Sequence, residues 1–318
     1  MKDSLKNPKK TSKKHSRIHV FDTVIILLLL NIVAVTLVVL YFHRINSYRL
    51  PTLDTSLLNI SSIPLTKDLS AINASAEAYV VFDSKTRTII AGKNDSLRFS
   101  PASTAKVMSA ILVLEHYDPE KYLTVPPTVY SVLGSKMNLV AGEEIKVRDL
   151  LYGMMLPSGN DAAYTLSYYY PGGAEGFVKE MNDKAQDLQL LNTHFVDPAG
   201  YEDGNFTTAS ELARLGAYAM QNKEFAQIVK TRFIEVSDRT LTHPYALSNL
   251  NELLVYDNVL GIKTGFTNEA GGVLLTAVKR GDSVFIVSVL KSLNRFADTK
   301  DLMNFINEKI EYSAPSKD

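Results

Sequence analysis

Residues 272–291, GVLLTAVKRGDSVFIVSVLK, decide the fold: two apolar runs flank the turn Arg280-Gly281-Asp282. This pattern predicts a β-hairpin, because β-branched residues favour strands and glycine favours the turn. A second hairpin is predicted over residues 77–93, EAYVVFDSKTRTIIAGK. Between the two hairpins, apolar residues recur at helical spacing. Strands at both ends of a helical middle predict an α+β domain, with one antiparallel sheet built from both ends.

The helices predicted between the hairpins cover residues 104–117, 147–156, 161–169, 176–188, 208–221 and 224–231, and a last amphipathic helix covers about 299–310. The chain has 318 residues, of which 46% are hydrophobic and 21% charged, so it can form a sizeable core. The absence of cysteine excludes disulfides, cysteine nucleophiles and thiolate metal sites.

Charge is distributed unevenly along the chain, although 34 basic and 34 acidic side chains give no formal net charge. Residues 1–49 hold nine Lys or Arg and two Asp, which leaves 25 basic and 32 acidic residues for the remainder. A nucleic-acid-binding protein would carry its basic surface on the folded part. The acidic remainder therefore argues against nucleic acid as a partner.

Residues 23–42 form a run without a charged side chain, rich in Leu, Ile and Val. A helix of about 20 residues spans the hydrocarbon core of a bilayer, and the preceding basic residues place the N-terminus in the cytoplasm. A buried core helix and a cleaved signal peptide are the alternatives, but the run is long for both and Tyr41-Phe42-His43-Arg44 is not a small-residue cleavage site. We predict a single-pass protein of the cell membrane, with a basic cytoplasmic tail at 1–22, an uncleaved signal-anchor at 23–42, an extracytoplasmic linker at 43–73 and a folded domain at 74–318.

The first segment whose side chains could take part in catalysis is SPASTAK at residues 100–106, which leads into a predicted apolar helix. Ser103 and Lys106 are three residues apart, so they lie on one helix face within reach of each other. A lysine can take the proton of a serine when burial or a second cation lowers its pKa. Alone, the pattern is more typical of an N-cap serine beside a surface lysine, and Ser288 and Lys291 repeat the spacing in a predicted core strand.

The second segment, LPSGND at residues 156–161, is a loop with Pro and Gly between two predicted helices. Ser158 offers a hydroxyl that can relay a proton, and Asn160 offers an amide that can orient a substrate carbonyl or the lysine. The alternative interpretation is an ordinary turn in which Ser or Asn caps a helix.

The third segment, GIKTGFT at residues 261–267, comes just before the C-terminal hairpin, and Lys-Thr-Gly occurs only here. Lys263 and Thr264 suit an anionic group, by charge and by hydroxyl donation. Gly265 lets a substrate backbone lie close along the strand edge. The alternative is an edge strand with a solvated lysine.

Together the three segments occur in the order S-x-x-K, S-x-N and K-T-G. In this respect the chain resembles penicillin-binding proteins and class A β-lactamases, and most of all the low-molecular-mass D-alanyl-D-alanine carboxypeptidases of peptidase family S11. The resemblance covers roughly residues 75–312 and includes FSPASTAKVMSA, NTHFVDPAGY, GIKTGFTNEAGGVLLTA and RFADTKDLM. It implies the β-lactamase/transpeptidase-like fold. It also implies an enzyme that removes the terminal D-alanine from peptidoglycan stem pentapeptides through an acyl-enzyme.

The resemblance assigns catalytic roles to residues of the first two segments. Ser103 would attack the peptide carbonyl, and Lys106 would take the serine proton. Ser158, with Lys263 nearby, would pass that proton to the departing D-alanine. Asn160 would hold both the substrate and the lysine.

The resemblance also assigns binding roles. Lys263 and Thr264 would receive the terminal carboxylate, with Arg295 near it. The backbone N–H groups of Ser103 and Phe266 would form the oxyanion hole. Peptidoglycan stem peptides are then the expected partner and β-lactam antibiotics the expected covalent inhibitors, with the N-terminal helix in the membrane and no cofactor or metal.

The sequence departs from the family pattern at three places. Ala105 stands where threonine often precedes the lysine, and Asp197-Pro198-Ala199-Gly200 replaces the commoner Asn-Pro-His-Gly in the loop facing the site. The second change leaves deacylation rate and substrate fit open. The chain ends soon after Ile310, so the β-rich C-terminal domain of many relatives is expected to be missing.

Other functions fit the sequence less well. A β-lactamase of class A would need Glu-x-x-Leu-Asn, which does not occur between Asn160 and Lys263. A D,D-endopeptidase would use the same residues and stays open, whereas a non-catalytic sensor would be expected to have lost motifs that are intact. A metallopeptidase lacks support, because the six histidines are scattered, no H-E-x-x-H occurs and His194 is expected to be structural.

Overall fold

The structure is a computed structural model that describes residues 15–46, 64–66 and 72–312. Most of the predicted cytoplasmic tail and of the predicted linker lies outside these residues. The chain divides into two units, Met1–Ile60 and Ser61–Asp318.

The described part of the first unit is the helix α1 (His15–Asn46). Its segment Val24–Phe42 has a mean hydropathy of 3.0 and is not buried in the structure. Two polar side chains in this segment bond back to helix carbonyls: Asn31 Nδ2 donates to Leu27 O at 3.2 Å, and Thr36 Oγ1 donates to Ile32 O at 2.7 Å. Such internal bonds satisfy polar groups where no water is available. By length and composition, this helix is compatible with a membrane anchor.

The second unit contains strands and helices in both halves of its sequence. Its strands are β1 (Pro64–Thr66), β2 (Ala78–Asp83), β3 (Thr88–Lys93), β4 (Tyr122–Thr124), β5 (Glu144–Lys146), β6 (Phe233–Ser237), β7 (Pro244–Ser248), β8 (Val259–Thr267), β9 (Gly271–Arg280), β10 (Ser283–Ser292) and β11 (Ile310–Tyr312). Its helices are α2 (Lys106–His116), α3 (Val147–Met155), α4 (Asn160–Tyr168), α5 (Gly173–Asp187), α6 (Ala209–Ala219), α7 (Lys223–Lys230) and α8 (Arg295–Lys309).

Five strands form one antiparallel sheet in the order β3-β2-β10-β9-β8. The N-terminal hairpin thus joins the C-terminal strands through the pairing of β2 with β10, in which Val81 lies opposite Val287. The predicted α+β plan, with one antiparallel sheet built from both ends, is confirmed. Strand β8, which carries the Lys-Thr-Gly segment, lies at the edge of this sheet.

The sheet is buried on both faces because successive side chains of a strand point to opposite sides. In β2, Ala78, Val80 and Phe82 belong to the apolar cluster formed with the helical middle of the domain. Val81 points the other way, into a second cluster that contains Leu302 and other residues of α8. Burial on both faces explains why these strands appear in the sequence as nearly continuous apolar runs.

The structure also contains short strand pairs that the sequence did not predict: β1 with β11, β4 with β5, and β6 with β7. Strand β1 lies inside the segment expected to be a linker, and its Leu65 pairs with Glu311. Strands β1, β4, β5 and β11 have only three residues each, which is too short to show a period and explains why they were missed. The last helix begins at Arg295 rather than about residue 299, because the Asn294 side chain accepts from Ala297 N and caps it.

Candidate active site

The nucleophile candidate lies just before a helix that is buried over most of its length. A 3-10 turn, Ala102–Ala105, leads directly into α2, whose first eight residues are all buried. Burial of these eight residues in the core holds the first turn of the helix in place. Ser103 is half-buried and Lys106 is completely buried. Ala102 has a left-handed φ of 46°, a strained conformation for a residue with a side chain.

The Lys106 amine is surrounded by three oxygen atoms. Its Nζ lies 2.9 Å from Ser103 Oγ, 2.6 Å from Asn160 Oδ1 and 2.9 Å from Ala199 O. The Asn160 amide has a defined orientation, because its Nδ2 donates to Leu133 O at 2.6 Å. The sequence prediction that Ser103 and Lys106 lie within reach of each other therefore agrees with this geometry.

These contacts determine where the lone pair of a neutral amine would point. The Asn160 Oδ1 and the Ala199 carbonyl oxygen can only accept hydrogen bonds. A neutral Lys106 amine has two hydrogens, and both are needed for these two acceptors. Its lone pair then faces Ser103 Oγ, the only one of the three oxygens that carries a proton. The arrangement is suited to removing the proton of that hydroxyl.

The charge state of Lys106 is set by opposing effects. Burial is the stronger effect and lowers its pKa to about 7, even though the nearby carboxylates of Asp197 and Asp161 act to raise it. Without burial, lysine would be almost fully protonated at neutral pH. Here a substantial fraction of the amine is neutral near pH 7, as a general base requires.

Ser158 is brought to the same region by the loop between α3 and α4. It is buried, with a left-handed φ of 66°, and its Oγ has no hydrogen-bond partner among the described residues. The loop is held by backbone bonds, among them Gly159 N to Gly153 O at 2.9 Å and Asn160 N to Ser135 O at 2.7 Å. A buried hydroxyl without a partner can bond to an incoming molecule without first breaking a bond.

Edge strand β8 and helix α8 bring two more cations to the site. Lys263 is completely buried, and its Nζ donates to the carbonyl oxygen of Thr264, itself buried, at 3.0 Å. Arg295 Nη1 lies 3.4 Å from Gly265 O, and its Nε is buried without a partner. Burial, together with the positive charges of Lys106 and Arg295, lowers the pKa of Lys263 well below its ordinary value. None of the three cations forms an ion pair within the described part of the chain, so the site favours an anion.

Gly265 allows β8 to pass directly beside the nucleophile turn. A Cβ at this position would lie 3.1 Å from Ser103 N, from Pro101 O and from Ala102 Cβ, a tight contact that would force these neighbours to shift. Phe266 follows and is 62% exposed. The joint use of the Ser103 and Phe266 N–H groups around one oxygen stays a prediction.

An open cavity of about 690 Å³ lies beyond Phe266. Its lining includes Tyr201, Glu202, Asp203 and Glu269. The end of the Lys-Thr-Gly strand therefore leads into a space large enough for several residues of an extended peptide.

The structure also shows what the sequence did not predict. The Ala199 carbonyl and the carboxylates of Asp161 and Asp197 contact or polarise Lys106 from segments distant in sequence. The sequence feature that could have indicated the approach of this loop to the site is Gly200. Its φ is 69°, and a Cβ added there would lie 2.1 Å from Ala102 O. Only glycine can occupy such a position.

The residues that repeat the S-x-x-K spacing, and His194, have structural roles outside the site. Ser288 is buried in β10, while Lys291 at the end of the same strand pairs with Glu77 at 3.2 Å. His194 exchanges backbone hydrogen bonds with Phe206 and stacks on its ring. Within the described residues, no group of three or more His, Asp or Glu is arranged to hold a metal ion.

The comparisons with known proteins agree with one another. Residues 65–294 match the peptidase S11 family model, described as D-alanyl-D-alanine carboxypeptidase. The chain is 31% identical over 223 residues to D-alanyl-D-alanine carboxypeptidase DacF of Bacillus subtilis, which covers 68% of this chain and 57% of that protein. It is also 31% identical over 253 residues to a D-alanyl-D-alanine endopeptidase of Pseudomonas aeruginosa, covering 77% of this chain and 80% of that one. The crystal structure of the Streptomyces K15 DD-transpeptidase superposes with a TM-score of 0.70 at 32% identity, over 73% of this chain and 97% of that chain.

Proposed function

The chain belongs to peptidase family S11, the D-alanyl-D-alanine carboxypeptidases, and from this membership we propose that it removes the terminal D-alanine from peptidoglycan stem pentapeptides. The observation that carries the proposal is the contact between Lys106 Nζ and Ser103 Oγ at 2.9 Å, with the other two amine positions taken by acceptors. A serine peptidase needs this arrangement of a nucleophile and a base.

In the proposed acylation step, Ser103 Oγ forms a bond to the carbonyl carbon of the penultimate D-alanine while its proton moves to Lys106. The C–N bond then breaks as Ser158 donates its hydroxyl proton to the leaving amine and takes up in its place the proton held by Lys106, which leaves the lysine neutral again. A water molecule hydrolyses the resulting ester, releasing the shortened peptide and restoring Ser103. Asn160 keeps the Lys106 amine in place through both steps, since Leu133 fixes its amide.

The proposed binding of the terminal carboxylate follows from the three unpaired cations. A carboxylate beside Lys263 and Thr264 would compensate the burial of that lysine and raise its lowered pKa again. Arg295, whose Nη1 lies 3.4 Å from Gly265 O, extends the positive region along β8. The attacked carbonyl would then lie beside Gly265 and Ser103, where the strand edge and the nucleophile turn are in contact.

We also propose β-lactam antibiotics as covalent inhibitors of Ser103 and α1 as a membrane anchor with the N-terminus in the cytoplasm. The carboxylate of a β-lactam would bind as the substrate carboxylate does. The basic residues before residue 23 support the orientation, which places the enzyme on the extracytoplasmic side where peptidoglycan lies.

Monomeric muropeptides ending in D-Ala-D-Ala are expected to lose one D-alanine faster than cross-linked dimers are cut. The nucleophile serves both reactions, and a relative from Pseudomonas aeruginosa is named an endopeptidase, so the two substrates must be compared side by side. Chromatography of both digests and enzymatic assay of free D-alanine measure the two rates. Faster cleavage of the dimer would assign the protein to the endopeptidases.

The acylation rate is expected to rise with pH up to about 7 and then to level off. The base must be neutral, and the pKa of Lys106 is about 7, so the rate should fall roughly tenfold per pH unit below it. The second-order rate constant for a labelled penicillin, measured from pH 5 to 10, checks this. A constant rate between pH 5 and 8 would contradict the role of Lys106.

A further inference from the structure

Asp197 anchors a loop that touches the catalytic lysine. Its buried carboxylate accepts hydrogen bonds from Ala199 N at 2.7 Å, Tyr201 N at 3.0 Å, Glu202 N at 2.9 Å and Asn205 Nδ2 at 2.7 Å. So many donors on one buried carboxylate indicate that the position of this loop is strongly determined.

The atoms held by Asp197 lie on both sides of the Ala199–Gly200 peptide bond. The carbonyl of that bond accepts from Lys106 Nζ at 2.9 Å. Gly200 packs so closely against the turn before α2 that a Cβ would lie 2.1 Å from Ala102 O. The carbonyl therefore cannot rotate away from the lysine unless the contacts of Asp197 are broken.

We propose that Asp197 is a positioning residue for the base: by fixing the Ala199 carbonyl on one hydrogen of Lys106, it directs the lone pair of the amine to Ser103. This inference rests on the proposed function. It gives a role to a residue that differs from the asparagine commoner at this place in the family pattern. Without the fixed carbonyl, the second hydrogen of the amine could turn toward Ser103 Oγ and the lone pair away from it.

The charge of Asp197 has a second, separable effect. The charged groups around Lys106 are Asp161 on α4, Asp197 on the loop and Lys263 on β8, with Arg295 on α8 next to Lys263. The two carboxylates favour the protonated amine, while burial disfavours it. Removing the charge of Asp197 therefore lowers the pKa of Lys106. The acid limb, which is the part of the pH profile where the acylation rate falls with decreasing pH, then moves to lower pH.

Two variants of the full-length protein separate charge from position. Asp197→Asn removes the charge and replaces one acceptor by a donor, so acylation by a labelled penicillin should slow roughly 10- to 100-fold and the acid limb should move down by about one pH unit. Asp197→Glu keeps the charge but displaces the carboxylate. It should slow acylation while leaving the acid limb in place.

The matched control is Glu211→Gln. Glu211 is also a buried carboxylate that holds a turn, accepting from Asn192 N at 3.0 Å and from Thr193 Oγ1 at 2.6 Å, and it does not contact Lys106. It should lower the melting temperature without moving the acid limb. Labelling of the wild-type protein at Ser103 tests the proposed function independently. An unmoved limb in Asp197→Asn, or unchanged acylation in Asp197→Glu, would therefore overturn this inference alone.

Discussion

Replacing Ser103 by alanine is expected to abolish covalent labelling by penicillin and to reduce D-alanine release by a factor on the order of 10⁴ to 10⁶. The variant keeps the buried helix α2 and the cations of the site but has no atom that can form the ester. Ser103 is only half-buried, and among the described residues its side chain bonds only to Lys106, so the loss of the hydroxyl should leave the fold intact. The residual rate then reflects substrate binding and the oxyanion hole.

The chain provides a matched control for this variant. Ser288 has the same spacing to a following lysine, but it is buried in β10 and its Oγ has no partner in the described structure. Ser288→Ala should leave labelling and turnover unchanged, since only an unsatisfied polar atom is removed. Gel fluorescence with a labelled penicillin and mass spectrometry of the modified peptide measure both variants. Labelling that persists in Ser103→Ala would remove Ser103 from its role.

Replacing Lys106 by arginine is expected to lower the acylation rate by a factor on the order of 10³ or more, although the positive charge is kept. A guanidinium group is effectively always protonated, so it has no lone pair to offer Ser103. All its N–H groups are donors, and the three oxygens around position 106 then bind a permanent cation. The expected defect lies in the chemical step.

Arginine is larger than lysine and position 106 is completely buried, so folding must be measured together with the rate. Lys291→Arg is the control, because Lys291 is the lysine of the repeated spacing and lies outside the site, paired with Glu77. Circular dichroism and thermal unfolding of both variants report on the fold. A Lys106→Arg protein that is folded and acylated at a near-normal rate would show that the base is another group.

The sequence predicted those parts of the fold that form long apolar segments or are joined by a recognisable turn. The two hairpins were identified because β2, β3, β9 and β10 are apolar and joined by short turns. The pair β6 and β7 was missed because half of its side chains are exposed and its turn is organised by Asp238, whose carboxylate accepts from Thr242 N and His243 N. Side-chain to backbone bonds of this kind leave no periodic signal.

The candidate site was predictable where the interacting residues are close to each other in the sequence. Ser103 and Lys106 share a helical turn, so their spacing was sufficient to infer the contact. The approach of the Ala199 carbonyl to Lys106 was not predictable, since it joins residues 93 positions apart. The left-handed φ of Ser158 could not be predicted either, because serine rarely adopts this conformation and, unlike glycine, does not indicate it in a sequence.

The construction of the central sheet has a consequence for how the protein is made. Strand β2 has β10 as its inner neighbour, with Asp83 opposite Phe285, so the ribosome must add about 200 further residues before this partner exists. At roughly 5–20 residues per second, the first hairpin waits on the order of 10–40 seconds with one apolar edge unpaired. Such edges invite pairing with other chains. Assembly of the nucleophile turn, which rests against β8, is therefore among the last events in the biosynthesis of the domain.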